Sequence, residues 1–235
     1  MAPQPSDHTR ISRALESLFD PRVATSVATA EMYGGRLLPE EMAGTQRMVP
    51  ERLAEFTAGR LAARGALRSL GIDPRPIVRD ESRAPVWPEG IVGSISHCAG
   101  LCVAAVARST DVMGLGLDVE PAEPLARELV PSVCSAGELN DLGKLSRPPA
   151  ADWPRIVFSA KESYYKAWFP IVGRPLDFSD VTIRINHRRS TFTIDHRDDY
   201  AGPLPPWGRS AGGRFALEGG YLVTGLTIPP VNRPA

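Results

Sequence analysis

A chain of 235 residues with 43% hydrophobic content can build a normal core as one large domain or two small halves. Its 27 Lys and Arg balance its 27 Asp and Glu, which argues against a general nucleic-acid or membrane-surface binder while leaving room for one local basic patch. Cys98, Cys102 and Cys134 are odd in number and wrongly spaced for a disulfide framework. No basic-then-apolar leader and no long apolar run suggests a signal peptide or a membrane span.

In chain order, residues 1–10 are expected to fray and residues 11–18 to form a short helix that Pro21 ends. Residues 23–32 alternate small and β-branched side chains and read as a strand. Residues 39–44 read either as a helix start or as a loop. Residues 51–70 give the clearest helical pattern, with Gly71 just beyond as a C-terminal cap. Leu53, Phe56, Ala63, Leu67 and Leu70 share one face of it. Arg60 falls inside that stripe, Arg52 and Arg64 lie at its edges, and Glu51, Glu55, Ala58 and Ser69 fill the opposite side. Residues 72–85 read as loop, with a short strand at 76–79. Two apolar runs, 91–96 and 101–107, flank Cys98-Ala99-Gly100 as a β-hairpin, and 113–120 follows as a third strand. Residues 125–130 and 135–142 read as short helices around Pro131. Residues 146–154 read as a loop, and 158–169 as a helix stopped by Pro170. A second hairpin is expected from 181–185 and 191–195. Residues 201–220, with six glycines and three prolines, read as a loop, and 221–228 as a last strand. Hairpins mixed with single helices argue an α+β fold, and no sequence repeat is evident.

Charged residues concentrate the chemistry. Asp118 and Glu120 alternate along a strand and so share a face, where two carboxylates repel unless a cation lies between them. They read either as a polar strand end or as metal ligands. Glu162 reads as the last residue of a capping box, Ser159-Ala160-Lys161-Glu162, or as a third carboxylate. Lys161 and Lys166 are five residues apart and about 140° apart on a helix, so they serve different places. Arg60 inside an apolar stripe needs a salt bridge, a route to solvent or an anion. His97 at a strand end reads as structural or as a ligand contact. With Cys98 and Cys102 it hints at zinc, but no fourth ligand is recognisable, and free thiols are the better reading. Tyr165 and Trp168 read as core aromatics by default.

Gly116-Leu117-Asp118-Val119-Glu120, followed by Phe158-Ser159-Ala160-Lys161-Glu162-Ser163-Tyr164-Tyr165-Lys166, resembles the paired signature of the 4'-phosphopantetheinyl transferases, G-[IVL]-D-x-E and F-[ST]-x-K-E-x-x-x-K. The likeness is to the monomeric surfactin-type branch, with its enterobactin-synthase and actinobacterial subgroup. Trp87-Pro88-Glu89-Gly90-Ile91-Val92-Gly93-Ser94-Ile95-Ser96-His97-Cys98 and the Arg-rich residues 51–70 extend it over roughly residues 50–170.

The resemblance implies two similar α/β halves with antiparallel sheets, residues 1–115 and 116–235, related by a pseudo-twofold with the cofactor between them. It implies transfer of 4'-phosphopantetheine from coenzyme A to a serine of an acyl or peptidyl carrier protein, with release of 3',5'-ADP. Mg²⁺, or alternatively Mn²⁺, would be held by Asp118, Glu120 and Glu162. Coenzyme A would meet Arg52, Arg60, Arg79, Ser96, His97, Lys161, Tyr165 and Trp168, with Arg83 a looser candidate. Relatives often carry Lys where Arg79 stands, which keeps the charge and changes its geometry. Catalysis would fall to Glu162 and Lys166, with Glu162 or a metal-bound water as base. The implied setting is a cytoplasmic monomer that activates carrier proteins in polyketide, nonribosomal-peptide or siderophore biosynthesis. Rival readings are a non-catalytic coenzyme A-binding regulator and a metal-dependent pyrophosphate hydrolase.

Overall fold

The apolar runs pair into two antiparallel sheets. In the computed structural model, which describes residues 5–98, 100–145, 151–200, 202, 204, 205 and 207–230, the first sheet has the order β1-β3-β2. It is formed by β1 (Ala24–Val27), β2 (Ile91–Cys98) and β3 (Leu101–Arg108). The second has five strands in the order β4-β8-β7-β6-β5. These are β4 (Gly114–Pro121), β5 (Val181–Asn186), β6 (Thr191–His196), β7 (Ser210–Glu218) and β8 (Tyr221–Ile228). Each sheet carries one long helix, α3 (Pro50–Ser69) in the first half and α6 (Trp153–Val172) in the second. The short helices are α2 (Ala30–Tyr33), α4 (Val130–Val133) and α5 (Ala136–Leu142), with 3₁₀ turns at Pro39–Met42 and Phe178–Asp180. The fold is α+β with two similar halves.

The halves meet edge to edge. β2 and β4 are edge strands, and serine side chains bridge them where backbone pairing stops. Leu117 N–H donates to Ser94 Oγ at 3.1 Å, and Val119 N–H donates to Ser96 Oγ at 3.3 Å. Both edges are thereby covered, which removes two exposed rows of unpaired backbone groups. On one face of this seam α1 (Pro5–Leu18) places Ile11, Leu15 and Leu18 in a core with Val103, Ala105, Leu115, Leu117, Val119 and Val223, drawn from both sheets. The opposite face opens into the cavity described below.

The likeness of the halves extends to one buried acid–base pair in each. Glu41 in the first 3₁₀ turn accepts Leu38 N–H at 2.9 Å and Ile77 N–H at 3.1 Å, and pairs with Arg64 of α3. Glu138 of α5 accepts Ser135 N–H and Ile183 N–H, each at 2.8 Å, and pairs with Lys161 of α6 at 3.0 Å. Both ion pairs join residues 23 apart in the chain, and all four side chains are buried. A charge this deep persists only when paired and hydrogen-bonded, so each pair ties a helix turn, a long helix and a third segment together.

Several expectations need correction. Residues 5–10 are helical rather than frayed. The strand expected over 23–32 is only Ala24–Val27, because Ala30–Tyr33 turns into α2. Residues 76–79 form no strand, only an isolated bridge between Arg79 and Pro85. On α3 the side that carries Ala58 is not the solvent side. Ala58, Ala62 and Ala66 are fully buried against the sheet, where small side chains allow close approach, and Leu53 is 36% exposed. The first helix expected around Pro131 begins only at Val130, since proline suits a first turn. α6 starts at Trp153, capped by Asp152 accepting Arg155 N–H at 3.0 Å, with Pro154 in its first turn. It runs past Pro170 to Gly173, whose left-handed backbone (φ 69°) ends it. Residues 210–218 form β7 because Gly213 makes room for the Phe192 ring, where an added Cβ would lie 2.3 Å away. Residues 1–4, Ala99 and residues 146–150 of the expected loop lie outside the described residues.

Candidate functional site

A cavity of about 950 Å³ lies between α3 and the 79–85 segment on one side and the seam strands with α6 on the other. Its two ends differ in charge.

The first end is cationic. Arg47, Arg52, Arg60, Arg79 and Arg83 line it. Arg60 is only 5% exposed and forms no ion pair among the described residues. Its Nε donates to Ile77 O at 2.7 Å, and its guanidinium lies 4.3 Å from the centroid of the Phe56 ring. The Arg79 guanidinium lies 4.8 Å from the same ring. Burial first, and then the neighbouring Arg79, Arg52 and Arg64, bring Arg60 down to about 10, against the partial support of Glu41. A buried cation without an acid, beside further cations, is an incomplete arrangement that an anion completes. His97 joins this end to the seam. Arg52 Nη1 contacts His97 Nε2, and Glu55 lies 3.4 Å from His97 Nδ1. With an arginine donating to Nε2, the ring is neutral and carries its hydrogen on Nδ1. Burial and then Arg52 lower its pKa in the same sense.

The second end is acidic. Asp118, Glu120 and Glu162 all line the cavity, with Lys166 among them. Gly116 is required here because α6 crosses β4 so closely that an added Cβ would lie 1.8 Å from Ser163 O. Asp118 accepts from Lys166 Nζ at 2.7 Å and from Ser96 Oγ at 2.9 Å, and Lys166 also donates to Ser96 Oγ at 2.9 Å. Glu120 pairs with Arg155 at 2.8 Å. Glu162 is half-buried and makes no side-chain hydrogen bond or ion pair among the described residues. Burial and then Asp118 push Glu120 up to about 7, with Glu162 adding to the repulsion, and burial and Asp118 likewise raise Glu162. As they stand, no three acidic, histidine or cysteine side chains among the described residues are gathered closely enough to hold a metal. The donors nonetheless fit a hard divalent cation: three carboxylates lie on one wall, and burial together with the Asp118 charge raises two of them, Glu120 and Glu162. Lys166 and Arg155 neutralise two of them in this structure.

Residues 40–107 match the family model for the 4'-phosphopantetheinyl transferase N-terminal domain, and residues 114–205 match that for the 4'-phosphopantetheinyl transferase superfamily. The chain belongs to the 4'-phosphopantetheinyl transferase superfamily. It is 42% identical over 195 residues to the 4'-phosphopantetheinyl transferase Svp of Streptomyces mobaraensis, covering 82% of this chain and 78% of that protein. To PptT of Mycobacterium tuberculosis it is 34% identical over 230 residues, covering 93% and 99%. Enterobactin synthase component D of Salmonella typhi is 41% identical over 128 residues, about half of each chain. The family acts on carrier-protein domains and uses coenzyme A as substrate.

Of the site residues expected in this transferase, the structure brings Arg52, Arg60, Arg79, Ser96, His97, Asp118, Glu120, Glu162 and Lys166 to one cavity, and Arg83 with them. It does not bring Lys161 there. The Lys161 ammonium is 3% exposed and is spent on Glu138, Val133 O and Phe178 O, the last two at 2.8 Å. Trp168 is likewise absent from the cavity: it is fully buried, donates to Arg174 O at 2.9 Å and packs on His196. Tyr165 lines a second, smaller cavity beside Glu162, with Lys161, Leu176 and Phe178. The capping box fails as a reading, because α6 begins six residues before Ser159 and Asp152 caps it. Arg47 and Arg155 were missed by sequence reasoning. Arg155 falls outside a helix that is read as starting at 158, and Arg47 sits in a turn that carries no periodic signal. Phe56 is buried as its place on the apolar stripe implies, and its ring also carries two guanidiniums, which the stripe does not announce.

Proposed function

We propose that this transferase moves the 4'-phosphopantetheine arm of coenzyme A onto a serine hydroxyl of an acyl or peptidyl carrier protein. The serine oxygen forms the new bond to phosphorus, the pyrophosphate P–O bond breaks, and 3',5'-ADP leaves with the electron pair. The observation that carries this reading is Arg60, buried without an acid in the cationic end of a cavity whose other end holds three carboxylates. Such a cavity suits a ligand with several phosphates and a cation between them.

Arg52, Arg60 and Arg79 bind and orient the 3'-phosphate and pyrophosphate, and neutral His97 offers its ring at the junction of the two ends. Mg²⁺, or alternatively Mn²⁺, held by Asp118, Glu120 and Glu162, would supply the charge that stabilises the leaving phosphate. Lys166 adds positive charge at the same place. Glu162, or a water beside it, takes the proton of the attacking hydroxyl. Tyr165 and the second cavity beside Glu162 accept the pantetheine arm. We divide the chain into halves at 115 and 116, and read it as a cytoplasmic monomer. The enterobactin synthase relatives make siderophore carriers the first class to test.

The test is to incubate apo-carrier protein with coenzyme A and Mg²⁺ and to weigh the carrier. A gain of one phosphopantetheine per carrier, lost on chelation or in Asp118→Ala, is expected. Coenzyme A binding without transfer would favour the regulator reading, and cleavage of coenzyme A with an unmodified carrier would favour the hydrolase.

A further inference from the structure

Ser159 belongs to the motif that carries the family likeness, yet it caps no helix and lines neither cavity described above. It is fully buried in the second turn of α6. A serine inside a helix ordinarily bonds back to a carbonyl of its own preceding turn. Ser159 instead crosses to the sheet, where its Oγ donates to Asp118 Oδ2 at 2.8 Å. Behind it stands Thr224 of β8, also fully buried, which faces Asp118 across the β4–β8 register. Thr224 Oγ1 donates to Ser159 O at 2.9 Å and lies 2.9 Å from Ser159 Oγ. Two hydroxyl hydrogens serve these contacts: that of Ser159 goes to Asp118, and that of Thr224 is shared between the carbonyl and the hydroxyl oxygen of Ser159.

Asp118 is therefore held at both oxygens by hydroxyls from different elements: Ser96 of β2 on Oδ1 and Ser159 of α6 on Oδ2. The last torsion of an aspartate is soft, so a carboxylate gripped at one oxygen can still swing. Gripped at both, it has one orientation. The close crossing of α6 over Gly116 is what brings Ser159 within reach.

We propose that Ser159, backed by Thr224, is a positioning residue that fixes the Asp118 carboxylate so that its remaining lone pairs serve a divalent cation in the cavity. This rests on the metal-dependent transferase reading above. Outer partners of metal-binding groups of this kind typically change metal affinity 10- to 100-fold when removed.

The experiment compares Ser159→Ala, Thr224→Val and Thr224→Ser with the wild-type chain by two readouts. One is the Mg²⁺ concentration for half-maximal transfer to a carrier. The other is the affinity of the coenzyme A-saturated protein for Mn²⁺, followed by electron paramagnetic resonance. Ser159→Ala is expected to weaken both by on the order of tenfold or more, with metal-free coenzyme A affinity within about twofold of wild type. Thr224→Val, at a residue whose hydroxyl bonds Ser159 rather than Asp118, should shift both readouts in the same direction by less, and Thr224→Ser should leave them in place. Wild-type metal affinity in Ser159→Ala overturns the inference alone. If that variant does not fold, an unshifted Thr224→Val does so. A wild-type chain whose transfer needs no metal overturns the functional reading and this inference with it.

Discussion

The two halves carry the same buried acid–base pair and differ in what they turn toward the cavity between them. Glu41 with Arg64 and Glu138 with Lys161 occupy matching places, and each brings together a turn, a long helix and a distant segment. Facing the cavity, α3 presents Arg52 and Arg60, whereas the second half presents Asp118 and Glu120 from β4 and Glu162 and Lys166 from α6. The repeated charges are satisfied within the protein and hold the fold. The charges that are not repeated include Arg60 and Glu162, which form no ion pair among the described residues. Buried charge is therefore a poor guide to function until its partner is known.

The sharpest way to break this comparison is to exchange one member of a repeated pair. Lys161→Met leaves Glu138 buried and unpaired and should lower stability by about 3–5 kcal/mol, as should Arg64→Met opposite Glu41. Pairing Lys161→Met with Glu138→Leu should restore much of the loss. Thermal and urea melting read this directly. Unchanged melting with lost coenzyme A affinity in Lys161→Met would instead make Lys161 a ligand contact. Arg60→Met should do the reverse: weaken coenzyme A binding by on the order of 2 kcal/mol, roughly thirtyfold, while melting without ligand changes little. Early melting with normal affinity would make Arg60 part of the scaffold. Phe56→Leu keeps an apolar filler but removes the ring face from two guanidiniums, and should weaken coenzyme A by about 1 kcal/mol. Calorimetry that finds no change would reduce Phe56 to packing.

A smaller effect is read by pH. Glu120 is raised from its ordinary 4.5 to about 7, so the fold favours its protonated form. Stability from this group is present below about 4.5 and is lost as pH rises toward 7. Protein stripped of divalent cations should show that decline in its melting temperature, and Glu120→Gln should flatten it. Buried His196 acts oppositely, because its lowered pKa costs stability as pH falls below about 6.5. A decline that persists unchanged in Glu120→Gln would refute the assignment.

Much of this site is legible in the sequence because its residues sit where local pattern is strong. Asp118 and Glu120 share a strand face by alternation. Arg60 stands out against an apolar stripe, and the five-residue spacing of Lys161 and Lys166 sends them to different places, as the structure shows. What was not legible depends on partners distant in the chain. Nothing near Lys161 announces Glu138, 23 residues earlier. The Ser159-to-Glu162 spacing mimics a cap, and only the Asp152 cap and the contact of Ser159 with Asp118 decide against it. The loop expected over 201–220 became partly β7 because glycine content signals flexibility locally, while Gly213 answers to an aromatic ring on the next strand. The likeness of the halves is legible only through the family resemblance and leaves no sequence repeat, because it resides in the sheet-and-helix layout and two buried pairs rather than in a run of similar residues.

The central claim is that the unmatched cations bind the phosphates of coenzyme A. Calorimetric titration of the metal-free protein with coenzyme A and its 3'-dephospho form tests it most directly. The account predicts that the 3'-dephospho form binds much more weakly, because buried Arg60 and the arginines around it would lose an anion that the protein does not supply. Equal affinity for the two ligands would contradict it.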